Sequence, residues 1–258
     1  MIIKTAFEKS IKHEMTREKY EGIRDHVYGD GKNTFNYTYG DVSSWFTWNR
    51  DGNGQMAKVR PPAPEYTHRN HKFDGPIADW KENDSPEFAS RITTDIVFAG
   101  LNMSGTGKPF IDSAGNNWPR FQNARGHRRI VDTFFNTAAE GAYFTDLIKP
   151  DKRFLSKVGK PANGAEVMRI VRAQPDVLKE HIHLFKKELD FIGAKKPLLI
   201  VFGAQADWIL RRGLDKNFLE NRFHAIVRIM HYSGYPAGGD EGYKKETRQK
   251  LASYITIS

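Results

Sequence analysis

From Thr94 onward the chain alternates short apolar runs with longer amphipathic stretches. Ile96–Leu101, Ala142–Ile148, Pro197–Phe202 and His224–Met230 are short, apolar and bounded by Gly, Pro or polar residues, which predicts buried strands. Gln122–Ala138, Pro175–Phe191, a short segment from Gly203 through Leu210, and Gly242–Ile255 carry apolar residues at helical spacing. In the second of these, Val177, Leu178, Ile182, Phe185 and Leu189 form one stripe. Gly159–Gly164 reads as loop. Strands that alternate with helices predict a parallel sheet with helices on its faces, because every parallel connection must cross over the sheet. The expected fold is therefore α/β: a three-layer α/β/α domain over residues 91–258 with a central four-stranded parallel sheet.

Residues 1–90 are patterned differently and are expected to form an N-terminal extension or subdomain. Phe7, Ile11 and Met15 recur at i, i+4 and i+8 in the charge-rich stretch Phe7–Arg24, which predicts one amphipathic helix. Thr34–Tyr39 alternates like a strand between turns at Gly29–Gly31 and Asp51–Gly54. Trp45, Phe46, Trp48 and Trp80 read as core residues rather than as exposed binding aromatics. Arg60–Pro64 is a stiff, extended connector. His68, His71 and Asp74 have a spacing that fits no established metal site.

Composition adds three constraints. The 258 residues, 39% of them hydrophobic, suit one large domain or a domain with an extension. No apolar run approaches a membrane span and the N-terminus lacks a signal-peptide core, so a cytoplasmic, nucleoid-associated location and no membrane partner are expected. The chain has no cysteine, which excludes disulfides, thiolate zinc sites and a Cys-ligated iron–sulfur cluster. Lys and Arg outnumber Asp and Glu by 40 to 31, a net charge of +9, which favours polyanionic partners such as nucleic acid. The basic residues cluster at Arg120, Arg125, Arg128 and Arg129, and again at Lys149, Lys152, Arg153, Lys157 and Lys160.

The first apolar run leads into Gly100-Leu101-Asn102-Met103-Ser104-Gly105-Thr106-Gly107. Glycines just past a strand let the backbone turn and approach a ligand, and open parallel sheets hold their ligands at the carboxyl ends of such strands. A nucleotide-binding phosphate loop is the rival reading. It lacks the GxGxxG spacing, and Lys108 is followed by Pro109 rather than Ser or Thr. The wider segment GLNMSGTGKPFIDSAGNNWPRF resembles the first motif of the uracil-DNA glycosylase superfamily, and most closely its mismatch-specific branch. Met230-His231-Tyr232-Ser233-Gly234-Tyr235 is similar to the second motif, an H-P-S or N-P-S-G-L loop after the last strand. The two stand in the family's order, and the resemblance covers roughly residues 93–256.

The resemblance implies a monofunctional DNA glycosylase that hydrolyses the N-glycosidic bond of a damaged or mismatched base. It implies a monomer without cofactor, acting on duplex or single-stranded DNA. That reaction needs an oriented water, a stabiliser for the departing anionic base and a pocket for a base taken out of the stack. The matching positions make Asn102 the water-orienting group and His231 the stabiliser of the leaving base. Phe110 stacks on the base, with Met103 and Asp146 beside it. Ser233 and Gly234 contact phosphate and Tyr235 fills the vacated stack, while the clustering of basic charge, not a motif match, makes Arg125, Arg128 and Lys149 the expected contacts to the DNA backbone.

The chain also departs from the family. Met103 and Tyr232 replace prolines that stiffen the two loops, and His231 stands where the mismatch-specific branch carries Asn. Thr145-Asp146-Leu147-Ile148-Lys149 resembles a T-N-L-V-K segment whose Asn reads uracil in several branches. An ionised Asp only accepts, so uracil is not expected to be the best substrate. A carboxylate suits an edge with two donors, and a protonated Asp suits a cytosine-like edge; alternatively Asp146 turns away to cap a neighbouring helix and main-chain groups read the base. Two other functions stay open: a non-catalytic DNA- or nucleotide-binding protein of this fold, and an enzyme acting on a free nucleoside or nucleotide.

Overall fold

A computed structural model describes residues 4–13, 15–28, 37–46, 91–102, 127–154, 162–234 and 237–257. Its sheet comprises β1 (Ser44–Trp45), β2 (Thr93–Asn102), β3 (Ala142–Ile148), β4 (Leu198–Phe202) and β5 (Ala225–Ile229), in the order β1-β3-β2-β4-β5. The four longer strands are mutually parallel, as the alternating pattern predicts, and β1 pairs antiparallel with β3. The chain runs from β2 outward to β3, then returns past β2 to reach β4. The strand order therefore reverses between β2 and β4, which is where an open α/β sheet forms its ligand crevice.

Helices cover both faces and make two cores. The helices are α1 (Ala6–Ser10), α2 (Arg17–Asp25), α3 (Tyr39–Val42), α4 (His127–Phe134), α5 (Gly164–Ala173), α6 (Pro175–Phe191), α7 (Gly203–Gly213), α8 (Lys216–Arg222) and α9 (Gly239–Leu251). Val97, Ala99 and Leu101 of β2 pack with residues of α2, α5, α6 and α7. Ile96 and Phe98, on the opposite face of the same strand, pack with α1, α4 and α9. Since side chains alternate along a strand, a strand sandwiched this way has to be apolar at every position, as Leu198–Phe202 is.

The N-terminal residues are built into this body. Trp45 and Phe46 are buried, as expected of core aromatics, and serve opposite faces. The single helix expected over Phe7–Arg24 is instead two. The Thr5 side chain accepts from Glu8 N to begin α1, and the Thr16 side chain accepts from Lys19 N to begin α2. The break lets the chain change faces: Phe7 and Ile11 join the α4/α9 core, whereas Met15, Tyr20 and Ile23 join the other. The ends of the described chain also meet. Thr5 Oγ1 donates to Tyr254 O at 2.6 Å, and the Glu8 carboxylate accepts from Thr256 N and Oγ1 at 2.9 and 3.0 Å. Tyr39, expected to end a strand, begins α3, while Thr38 makes an isolated bridge to Val27. Thr34–Asn36, Trp48, Trp80 and the His68, His71, Asp74 group lie outside the described residues.

Elsewhere the boundaries move modestly. β2 begins at Thr93 and α9 ends at Leu251, while α6 and β3 have the expected limits. Of the helix expected over Gln122–Ala138, His127–Phe134 is described as helical, followed by turns through Gly141, and 122–126 lie outside the described residues. Helices α5 and α8 were not expected. Each has a local signal: Asn163 Oδ1 accepts from Glu166 N, and Asp215 Oδ1 accepts from Phe218 N.

Candidate functional site at the carboxyl end of the sheet

Strands β2, β3 and β5 deliver three of the expected residues to one end of the sheet. Asn102 is the last residue of β2, Asp146 lies near the end of β3, and His231 follows β5. The half-buried Asn102 donates from Nδ2 to Ala162 O at 3.2 Å, just ahead of α5, which assigns the two ends of the amide.

Asp146 is the register partner of Gly100 on β2. The pairing is steric as well as topological, since a Cβ at position 100 would run into Asp146 Oδ1. Only glycine leaves room for the carboxyl to lie against the neighbouring strand. Asp146 is half-buried by surface area. Burial pushes its carboxyl up to about 7; Lys149 pulls the other way and Glu188 adds to the rise.

The turn 231–234 fixes the state of His231. Ser233 N lies 3.2 Å from His231 Nδ1, and Ser233 Oγ lies 2.8 Å from it. A backbone N–H can only donate, so Nδ1 presents a lone pair and the proton of the neutral ring sits on Nε2. Burial holds the imidazole below its ordinary pKa, so it is neutral at neutral pH. Gly203, the first residue of α7, has φ +82° and would place a Cβ 3.3 Å from His231 Cβ. Glycine therefore permits both the abrupt strand-to-helix turn and the close approach of the His231 segment.

Tyr232 stands where the resemblance expects a proline, and packing holds the turn. Its ring stacks on His231 at 4.3 Å and meets Phe202 edge-on at 5.2 Å. Burial, with the Asp146 charge adding, pushes the Tyr232 phenol upward, so the two side chains are close enough to sense each other. Two groups expected to meet phosphate are engaged within the turn: Ser233 with His231 Nδ1, and the Gly234 amide donating to His231 O at 2.8 Å.

Lys149 does not lie on a DNA-facing surface. Its side chain is fully buried and pairs with Glu188 of α6 at 2.6 Å, also fully buried. Glu188 Oε1 further accepts from the Tyr143 hydroxyl at 2.9 Å and Thr145 Oγ1 at 2.8 Å. The signal for this sits on α6, where Glu188 falls beside Phe185 and Leu189 on the buried face; a carboxylate there requires a cation. Nearby Arg153 is ion-paired with Asp151 and Glu180 rather than standing alone. Met103, Phe110, Arg125 and Tyr235 lie outside the described residues, as does the Arg128 side chain.

Among the described residues no cluster of three or more His, Asp or Glu is placed to hold a metal, and no helix is long and apolar enough to cross a membrane. Comparison with protein-family models, with curated proteins and with solved structures finds no match to this chain.

Proposed function

We propose that this protein is a DNA base-excision enzyme, a glycosylase that hydrolyses the N-glycosidic bond of an extruded base. The observation that carries the reading is the placement of His231, with its Nδ1 bonded by Ser233, at the same end of the sheet as Asn102 and Asp146. A departing base gathers negative charge on its ring nitrogens and carbonyl oxygens. A neutral imidazole N–H is a donor that strengthens its bond as that charge grows and is not itself consumed. Asn102 orients the attacking water, and a neutral amide does so without acting as a strong base. Asp146 reads the base edge. The direct test is an abasic-site cleavage assay on duplex and single-stranded DNA carrying uracil and a panel of modified bases; no abasic sites from any of them would end the reading.

Asp146 gives that assay a pH signature. Below pH 7 its carboxyl holds a proton and offers both a donor and an acceptor, as an Asn amide does. Above that range it only accepts, so the poor fit to uracil expected of a carboxylate applies there. Uracil excision by the wild type is therefore expected to decline as pH rises through about 7. His231, held below its ordinary value, is already neutral across that window and does not contribute to the decline. Asp146→Asn keeps its donor at every pH and is expected to be flat. Parallel pH profiles for the two proteins would remove Asp146 from base reading.

The net charge of +9 supports a polyanionic substrate. Binding to an uncleavable duplex is expected to be weakly sequence-dependent and to weaken steeply between low and moderate salt, since counterion release drives such association. A dissociation constant that stays level across a salt titration would argue for a free nucleoside or nucleotide instead.

A further inference from the structure

Arg129 belongs by sequence to the basic cluster expected along DNA, but its guanidinium turns inward. It projects from α4 with its side chain 18% exposed. Nη1 donates to Tyr232 O at 2.9 Å and to Gly234 O, and Nε donates to the Asp240 carboxylate at 2.5 Å. The two carbonyls flank Ser233, the residue whose amide and hydroxyl engage His231 Nδ1. One planar cation thus grips the backbone on both sides of the group that sets the His231 tautomer, and ties it to the first turn of α9. A charge-assisted fork of this kind fixes orientation as well as position.

We infer that Arg129 is a positioning residue that locks the 231–234 turn and holds the His231 ring in its Nε2-protonated orientation. It takes over the stiffening that a proline at position 232 would supply, with Tyr232 packing beneath the turn against Phe202. The catalytic consequence rests on the base-excision reading of His231; the structural link from Arg129 to His231 does not.

The test uses the full chain with Arg129→Lys and Arg129→Met, and reads three quantities. Single-turnover excision at saturating DNA is expected to fall roughly tenfold to a hundredfold in Arg129→Met, with Arg129→Lys between it and wild type, because small misplacements of a transition-state donor are costly. DNA affinity and its salt dependence are expected to stay within about twofold, since this cation is not on phosphate. The His231 imidazole, followed by NMR titration, is expected to move up toward the ordinary histidine range in both variants as the ring gains solvent. Arg129→Lys keeps the charge, so a rise there reports a released ring rather than a lost cation. If Arg129→Met fails to fold, Arg129→Lys and Asp240→Asn carry the same measurements.

An unchanged His231 titration together with an unchanged rate would overturn the inference while leaving base excision intact. A weaker, less salt-sensitive DNA affinity at an unchanged saturating rate would place Arg129 on phosphate and overturn it as well. A wild type without excision activity would remove the glycosylase reading, and the titration would still decide whether Arg129 holds His231.

Discussion

Lys149→Met is expected to destabilise the protein by about 3–5 kcal/mol, the usual cost of leaving one member of a buried ion pair alone. Both Lys149 and Glu188 are fully buried at 2.6 Å, so solvent does not screen the loss. Tyr143 and Thr145 keep donating to Glu188 in the variant, but hydroxyls supply no compensating charge. Methionine fills most of the volume of the lysine stem, which confines the effect to the charge. The double variant Lys149→Met with Glu188→Gln is expected to regain most of the loss, because the amide oxygen still accepts from Tyr143 and Thr145 while no ion stays buried. Urea unfolding measures both. A single variant within about 1 kcal/mol of wild type would mean that water reaches the pair.

His231→Ala is expected to lower single-turnover base excision about a hundredfold, the scale of removing one transition-state donor. Asn102→Ala is expected to lower it at least tenfold or so by releasing the water. Both losses should appear in the rate at saturating DNA and hardly at all in DNA affinity, since under the proposed function each group acts where charge or bonding changes during the reaction. His231→Ala also removes the ring that stacks on Tyr232, so thermal unfolding should be followed in parallel. Wild-type rates in both variants would show that the reaction, if present, runs elsewhere.

How much of this was readable before folding depends on how far each feature reaches along the chain. The four parallel strands were legible because a strand covered on both faces is apolar throughout, and β4 shows this at every position. Helix α6 was legible from its apolar stripe, and its Pro175 start and Phe191 end follow from the pattern alone. The break between α1 and α2 was not, because Phe7, Ile11 and Met15 have the spacing of one helical face but divide between two cores. The placement of Asn102 and His231 at strand ends was legible too, since each directly follows an apolar run, and Asp146 stands two residues before the end of another.

The roles of the charged residues were decided by tertiary structure. Lys149 and Arg129 both looked like members of basic clusters, and both turn inward. Lys149 meets a carboxylate from α6, and Arg129 meets carbonyls that lie 103 and 105 residues further along the chain. Burial pushes the Asp146 carboxyl up toward 7, with Lys149 opposing the rise and Glu188 adding to it. Apolar periodicity is a local property, because burial of a face depends on neighbours three or four residues apart, so the sequence by itself determined the α/β layering. A charge is stabilised through space by whichever partner the fold brings to it, so the partners of Lys149, Arg129 and Asp146 became definite only once the strands had met.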